Sequence, residues 1–295
     1  MKFLTDPVIG VLGSHSALEV CRGAKDQGFS TLVIAEKGRE KTYRKYFITE
    51  DGLGCVDECL VVDKFSELLS VSMQKELRAR NVIFVPHRSF EVYLNFDYEE
   101  IEKRFKVPIF GNRFLLKIED RGVKPNQYDL LEKAGIRFPK QFKNPSKIDR
   151  LCLVKVLEKE RGFERAFFLV KNSDDFSKQA EKKIKEGAFT GKQLKEAVIE
   201  EFVMGVHVNF NYFYSPLKKR LELLGTDTRR QTNIEGLQKL PAVYQREVLL
   251  NLEIKYEEAG HIAVTILESM LENVFEIGER FLRASQKMFP PGIIG

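Results

Sequence analysis

Two short apolar segments carry side chains that could bind a nucleotide. One contains a lysine and the other contains two carboxylates. Lys155 lies in the apolar segment 151–156, and Glu200 and Glu201 lie in the segment 197–205. The lysine would place a point charge beside phosphate oxygens, while backbone N–H and C=O groups of the later segment would bind an adenine edge. The alternative is that Lys155 lies at a sheet edge and extends its ammonium group into water.

Two polar loops that follow apolar strands are a second set of candidate binding residues. The loop 13–16 contains His15 and opens a helix, so its N–H groups and hydroxyls could hold a phosphate. The loop 86–90 contains Ser89. The alternatives are an ordinary N-cap role for Ser16 and a solvated turn for the second loop.

The elements around these loops alternate between strands and helices, which predicts a parallel open sheet. Ligands bind such sheets at the carboxyl ends of strands, where loops meet helix N-termini, so the two loops should converge. The predicted strands span 8–12, 31–35, 59–62 and 82–85, and the predicted helices span 16–27 and 65–80.

After residue 111 the pattern changes to mixed helices and antiparallel strands. One helix is expected to begin at Arg113, and a second is expected to end at Gly135. Two strands then flank a charged hairpin tip. The C-terminal part combines a strand pair, a polar loop and an amphipathic helix. The two strands beside the tip are predicted over 151–156 and 166–170, and charged helices follow over 173–197. The C-terminal strand pair is predicted over 206–214 and 220–224, the polar loop over 227–236 and the amphipathic helix over 266–285.

The composition indicates an enzyme-sized chain with a large core. Its 295 residues are 43% hydrophobic and 31% charged, which suffices for two or three lobes. The net charge of +5 comes from 48 basic and 43 acidic residues that are mixed along the chain. Nucleic acid is therefore not an expected partner.

Neither a membrane span nor a secretory signal is expected. No apolar run reaches the roughly 20 residues that a span needs, and the N-terminal residues lack a signal-peptide core, so we expect a cytoplasmic protein with no membrane partner. The four cysteines form no CxxC pair, which argues against a zinc site and predicts buried thiols. A disulfide between Cys55 and Cys59 is the alternative.

Seven blocks of residues stand in an order that is typical of one enzyme family. They are SHSAL at 14–18, GAKDQGF at 23–29, PIFGNR at 108–113, EKAGIRFP at 132–139, YFYSP at 212–216, LELLGTD at 221–227 and FPPGIIG at 289–295. Together they resemble the archaeal formate-dependent AICAR ligases, the FAICAR synthetases or PurP family of the ATP-grasp superfamily. Because several blocks are in register over nearly the whole chain, the resemblance is more specific than any one block.

The resemblance implies an ATP-grasp fold, of mixed α/β and α+β class, with an N-terminal open parallel sheet. Three domains are expected. They are a parallel-sheet, substrate-binding domain over 1–111, a central ATP-grasp lobe with a lid over 112–204, and a C-terminal ATP-grasp lobe over 205–295 that lacks the family's last strands.

The implied activity is ATP-dependent carbon–nitrogen ligation in purine (IMP) biosynthesis. Formate would be phosphorylated to formyl phosphate, and the amino group of AICAR would displace the phosphate to give FAICAR, with ADP and phosphate as the other products. The implied cofactors are ATP and Mg2+ (or Mn2+), the implied small-molecule partners are ATP, formate and AICAR, and a homo-oligomer is expected.

The resemblance also implies roles for individual residues. The ATP-binding residues would be Lys117, Lys155, Glu200, Glu201, Phe202, Val203 and His207, and the substrate-binding residues would be His15, Ser16 and Ser89. The tip 158–165 would be a lid over the ATP phosphates. No catalytic residue is identified. The family's metal ligands would follow Gly295, so no metal ligand is named, and a chain that ends there is expected to bind ATP but to turn it over poorly.

The sequence departs from the family's pattern at four places, of which the first is a lid that lacks the glycine-rich sequence of many members. Arg88 stands where the family has a glycine, Leu267 replaces an arginine, and TRRQTN at 228–233 replaces RRYESN. These changes favour an ATP-grasp paralogue with another carboxylate or amine acceptor. The alternative of a non-catalytic nucleotide-binding protein is favoured if the family's metal-binding strands are absent.

Overall fold

The structure is a computed structural model that describes residues 6–87, 89–156, 167–232, 237, 240–252 and 256–290. Its residues group into two compact units. The first ends at Glu119 and takes in the segment that starts at Phe289, and the second runs from Asp120 to Met288. The three-domain division expected from the sequence stays a prediction.

The first unit contains the predicted parallel sheet, with four strands in the order β3-β2-β1-β4. Val8 lies opposite Ser30 on one side and Val82 on the other. The strands are β1 (Val8–Leu12), β2 (Ser30–Glu36), β3 (Glu58–Val62) and β4 (Val82–Phe84), and the helices are α1 (Ala17–Asp26), α2 (Val71–Ala79) and α3 (Ser89–Tyr93).

Both faces of this sheet are buried, as expected for parallel strands with near-continuous apolar sequences. Side chains alternate between the faces of each strand. Leu12 and Ile34 therefore join the core on one face, and Val11 and Val33 join the core on the other. This two-sided core fixes the strands whose ends carry the candidate loops.

The predicted helix 65–80 is interrupted at Ser70. A short 3-10 turn, Phe65–Leu69, precedes α2, and Ser70 adopts an extended conformation with ψ 146°. Its hydroxyl accepts a hydrogen bond from Met73 N–H at 3.2 Å. The N-cap role of Ser70 explains the break, because a capping residue must leave the helical conformation.

The second unit contains two separate antiparallel sheets. The first has the strand order β5-β8-β6-β7 and the second β11-β10-β9. The strands of the first sheet are β5 (Gln141–Phe142), β6 (Cys152–Lys155), β7 (Phe167–Val170) and β8 (Val198–Glu201), and those of the second are β9 (Asn209–Ser215), β10 (Arg220–Thr232) and β11 (Tyr256–Ala263). The helices are α4 (Gln127–Lys133), α5 (Ser173–Lys185), α6 (Gly191–Lys195), α7 (Ala242–Asn251) and α8 (Leu271–Met288).

The first of these sheets buries one face in its own core. Val154, Ile199 and Phe168 pack there with Ala180 of α5. The other face is partly open and carries residues of the candidate nucleotide site. Its strands thus show the alternation of an antiparallel sheet with one buried face.

Two C-terminal predictions are corrected. Residues 227–232, predicted as a loop, belong to β10, because this central strand pairs with β9 and then with β11. The long helix begins at Leu271 and not at residue 266, after an extended Leu267 and a 3-10 turn at Glu268–Met270. Within α8, the buried residues Val274, Gly278 and Ser285 follow a helical spacing.

The cysteines are free thiols, so the structure contains no Cys55–Cys59 disulfide, and Cys21, Cys55 and Cys152 are buried. Within the described ranges, no helix has the length and apolar character needed to cross a membrane.

Candidate functional site

The two polar loops meet at the carboxyl edge of the parallel sheet, as predicted. The Ser14 hydroxyl lies 3.5 Å from the Ser89 hydroxyl and 3.2 Å from the Tyr93 hydroxyl. The rings of His15 and His87 stack with centroids 5.9 Å apart. This convergence follows from the strand order, because β1 and β4 are neighbours in the sheet.

His87 is held by the backbone through both ring nitrogens. Its Nε2 lies 2.9 Å from the carbonyl oxygen of Leu12, and its Nδ1 accepts a hydrogen bond from Ser89 N–H at 3.1 Å. Because a carbonyl only accepts, Nε2 carries the proton and the ring is neutral. Burial lowers the pKa of His87, the backbone bond to Leu12 raises it in part, and nearby His15 lowers it further. His87 therefore links the two loops as a neutral imidazole.

His15 and Ser16 form a local pair at the start of α1. His15 has a φ of 41°, and its Nδ1 lies 2.6 Å from the Ser16 hydroxyl. Ser16 occupies the N-cap position, but its side chain makes no capping hydrogen bond. The ordinary N-cap interpretation is therefore wrong for this hydroxyl, which is engaged by the exposed histidine.

The path of the first loop is fixed by tight packing at Gly13. A Cβ atom at this position would lie 2.7 Å from Cε2 of Tyr43, 3.1 Å from Cγ1 of Val33 and 3.2 Å from Cα of Ala35. Gly13 N–H also donates to the carbonyl of Ile34 at 2.7 Å. Only glycine fits this close approach to β2.

Arg39 is a residue at this edge that the sequence analysis missed. It follows β2, and its guanidinium donates a hydrogen bond to the Tyr93 hydroxyl at 2.7 Å. The same guanidinium lies over the Tyr93 ring, with Cζ 5.5 Å from the ring centroid. A cation thus stands beside the loop that contains Ser14.

In the second unit, Lys155 and Glu200 lie on the open face of the first sheet. The register pairs Leu153 with Glu200 and Lys155 with Val198. Because residues two apart share a face, Lys155 and Glu200 are diagonal neighbours, opposite the face where Val154 is buried. The Lys155 ammonium forms an ion pair with Oε1 of Glu200.

This ion pair is shielded from water and extended by two further side chains. The side chains of Lys155 and Glu200 are 16% and 7% exposed. The Tyr128 hydroxyl donates to Oε2 of Glu200 at 2.7 Å, and Arg121 Nε donates to the Tyr128 hydroxyl at 3.3 Å. Burial lowers the pKa of Lys155, although Glu200 opposes that shift. Burial, and then Glu200, raises the pKa of Tyr128.

The predicted adenine-binding residues begin inside β8, which contains Glu200 and Glu201, and continue past its end to Phe202 and Val203. Phe202 N–H donates to the Leu151 carbonyl at 2.9 Å. After this last bond to the sheet, Val203 and His207 are exposed. Glu201 points away from Glu200, and its carboxylate lies 3.0 Å from the guanidinium of Arg150. The chain after β8 is therefore exposed, on the sheet that also carries the shielded Lys155.

The other predicted phosphate lysine, Lys117, belongs to the first unit. Its ammonium lies 2.6 Å from Oε1 of Glu102, and both side chains are largely buried. The predicted lid at 158–165 and Arg88 lie outside the described residues.

A polar cluster on the second antiparallel sheet was also not predicted. The Asp227 carboxylate accepts hydrogen bonds from the amides of Asn209 at 2.8 Å and Asn211 at 2.7 Å, and it lies 2.5 Å from Nδ1 of His261. Hydrogen bonds from Asn211, Asn209 and His261 lower the pKa of Asp227 to about 2. Across the described ranges, no three His, Cys, Asp or Glu side chains are grouped to hold a metal ion.

Two family models match the chain. One, described as "Protein of unknown function (DUF1246)", matches residues 9–142. The other, described as "Domain of unknown function (DUF1297)", matches residues 175–295.

Curated relatives match the whole chain. The 5-formaminoimidazole-4-carboxamide-1-(beta)-D-ribofuranosyl 5'-monophosphate synthetase of Methanocaldococcus jannaschii is 39% identical over 100% of this chain and 78% of the relative. The synthetase of the same name from Methanothermobacter thermautotrophicus is 37% identical over 98% of this chain and 76% of the relative.

Solved structures of related enzymes have a similar fold. The IMP biosynthesis protein PurP from Thermococcus kodakaraensis superposes with a TM-score of 0.66 at 28% identity, covering 97% of this chain and 78% of that chain. An N5-carboxyaminoimidazole ribonucleotide synthetase from Thermotoga maritima gives a TM-score of 0.51 at 16% identity, with 95% and 61% covered, and supports the fold alone. The fold is thus ATP-grasp with an N-terminal parallel sheet, and the chain belongs to the family of archaeal FAICAR synthetases, the PurP ligases.

Proposed function

We propose that the protein is an ATP-dependent ligase that formylates AICAR with formate to give FAICAR, ADP and phosphate. The observation that carries this proposal is the shielded Lys155–Glu200 pair, in which Glu200 belongs to the strand that leads into the exposed residues after Phe202. Family membership supplies the substrate, because the relatives are named as synthetases of the formylated ribotide.

The reaction proceeds in two displacements. A formate oxygen attacks the γ-phosphorus of ATP, the bond to the bridging oxygen breaks, and ADP leaves with that electron pair. The amino nitrogen of AICAR then attacks the carbon of formyl phosphate, loses a proton and releases phosphate. Charge on the transferring phosphoryl group is the main electrostatic demand of the first step.

Lys155 meets part of this demand. Its low exposure means that water does little to screen it, so a phosphate oxygen that replaces the Glu200 carboxylate would gain a strong contact. The Glu200 carboxylate remains hydrogen-bonded to Tyr128 when the lysine moves. The backbone of Val203 would bind the adenine edge.

The ribotide binds in the first unit, between the loops that contain His15 and Ser89. Their convergence at the carboxyl edge of a parallel sheet supports this assignment. His15, Ser16 and Ser89 offer a ring nitrogen and two hydroxyls there. The neutral His87 keeps the two loops together.

Magnesium or manganese, when bound, would offset phosphate charge, and the described residues supply no assigned ligands for it. A cytoplasmic location and a homo-oligomeric assembly stay predictions.

The test is ADP release that depends on both formate and AICAR, with incorporation of isotopically labelled formate into the product followed by mass spectrometry. Release with another carboxylate or amine, but not with this pair, would contradict the proposed substrates and favour a paralogue. ATP binding without any release would favour the non-catalytic alternative.

The residue assignment is tested by Lys155→Met. Losing a charge-assisted contact costs about 1.5–3 kcal/mol, so ATP affinity measured by calorimetry should fall about 10- to 150-fold. Lys155→Arg keeps the charge and should lose less. Lys178→Met, at an exposed position of α5, is the matched control and should bind ATP normally. Unchanged affinity in a folded Lys155→Met protein would show that this lysine does not contact ATP.

A further inference from the structure

Arg39 is held in place at the carboxyl edge of the parallel sheet. It lies in the turn after β2, the neighbour of β1, and donates to the Tyr93 hydroxyl at 2.7 Å. Its Cζ atom lies 5.5 Å from the ring centroid of Tyr93 and 5.9 Å from that of Phe65. Stacking on two rings orients the guanidinium before any ligand arrives.

The Tyr93 hydroxyl connects this cation to both candidate loops. It lies 3.2 Å from the Ser14 hydroxyl, which in turn lies 3.5 Å from the Ser89 hydroxyl. One region at the ends of β1, β2 and β4 is therefore lined by the Arg39 guanidinium, by the hydroxyls of Ser14, Ser89 and Tyr93, and by the start of α1. Ser16 leaves that helix start without a side-chain cap, so its N–H groups can donate to an anion.

The positive charge of Arg39 is only weakly neutralised by its neighbours, so it can attract an anion. Its acidic neighbour Glu36 is 3.9 Å from Nε, and the arginine side chain is half exposed. An exposed pair at this distance is weak. A guanidinium has five N–H donors, and the bond to Tyr93 uses one of them.

We propose that Arg39 binds the phosphate monoester of the ribotide substrate, with Tyr93 as the residue that positions it. A phosphate monoester carries about 1.5–2 negative charges at neutral pH, and arginine matches its oxygens through two parallel N–H donors. The hydroxyls of Ser14 and Ser89 complete the contacts. This inference rests on the proposed function, and it assigns the phosphate-recognising cation within the substrate site.

The experiment measures the affinity of AICAR and of its unphosphorylated riboside by calorimetry, without turnover. Wild-type protein should prefer the ribotide. Arg39→Met should weaken ribotide binding about 10- to 100-fold, while riboside and ATP affinities stay near wild type. Tyr93→Phe should weaken the ribotide by a smaller factor and should add little in the double variant, because it acts through Arg39.

The matched control is Arg80→Met. Arg80 lies in the same unit, at the amino end of β4, and pairs with Glu58 and Glu76. It should bind the ribotide as wild type does. Equal affinities for ribotide and riboside in the wild type, normal ribotide affinity in Arg39→Met, or an equal loss for the riboside would each overturn the proposal.

These outcomes are separate from those of the ligase assay. A protein that binds the ribotide through Arg39 but releases no ADP would keep this inference and refute the ligase. A protein that releases ADP with formate and AICAR, but whose ribotide affinity is unchanged in Arg39→Met, would support the ligase and refute this inference.

Discussion

Replacing Glu200 by glutamine should destabilise the second unit, because the Lys155 ammonium would stay buried without its counter-charge. Removing one partner of a buried ion pair costs about 3–5 kcal/mol. Two features reduce this cost here. The lysine side chain keeps 16% exposure, and the glutamine amide can still accept a hydrogen bond from Tyr128. We expect a loss of about 2–3 kcal/mol near neutral pH.

The loss should shrink as the pH rises. Burial holds the pKa of Lys155 below its usual 10.5, and Glu200 raises it in part. Without the carboxylate this pKa falls further. Consider pH values above the pKa of Lys155 in the folded variant and below its pKa in the folded wild type. In this range Lys155 is protonated in the unfolded variant but not in the folded variant. In this window the stability of the variant therefore rises with pH relative to the wild type.

The assay is urea denaturation of both proteins at about pH 7 and about pH 9. Glu201→Gln is the matched control, because this adjacent carboxylate faces the other way and pairs with Arg150 near the surface. The control should change stability less, and by the same amount at both pH values. If Glu200→Gln were as stable as the control, or if its deficit did not shrink at the higher pH, the buried-pair reasoning would be refuted.

Two more predictions follow from packing and protonation. Gly278→Ala should lower the thermal midpoint, because the new Cβ would lie 2.7 Å from Cε1 of Tyr212, whose ring is held by its bond to the Val274 carbonyl at 2.7 Å. Because Cδ2 of Leu221 would also lie 2.9 Å from that Cβ, we expect an overpacking cost in the upper part of the usual range of about 1–3 kcal/mol, above the helix-propensity gain of about 1 kcal/mol; a raised midpoint would contradict this. His87 has a pKa below its usual 6.5, so the unfolded state binds its proton first and stability should fall as the pH drops below about 6.5. In His87→Gln the thermal midpoint should depend less on pH in that range, and equal slopes would count against a buried neutral imidazole.

The parallel sheet and its converging loops could be predicted from the sequence because they rest on local patterns. The strands of the first unit are short apolar runs bounded by polar turns, and each predicted strand is present. Adjacent parallel strands end at the same edge, which predicts that the loops of His15 and Ser89 lie near each other. The roles assigned to these residues in binding stay predictions.

The missed features depend on tertiary contacts that leave no local signal. Arg39 lies among charged residues that are typical of a solvated turn, and its partner Tyr93 is 54 positions away. The strand β11 contains two glutamates and a glycine, a weak β-pattern, and it forms because β10 offers a ladder of hydrogen bonds. Likewise, the diagonal contact between Lys155 and Glu200 depends on strand register, which the spacing of 45 residues does not reveal.

The close packing at Gly13 has a consequence for engineering acceptor specificity. The loop that begins there is positioned from beneath by Tyr43, Val33 and Ala35, in addition to the hydrogen bonds that its hydroxyls make. Exchanging or lengthening the loop would therefore disturb the hydrophobic interior and the substrate edge together. Substitutions at Ser14 or Ser16 leave that support intact. A designer who seeks a new amine acceptor should vary these side chains on the existing backbone, and should keep the glycine as a fixed point.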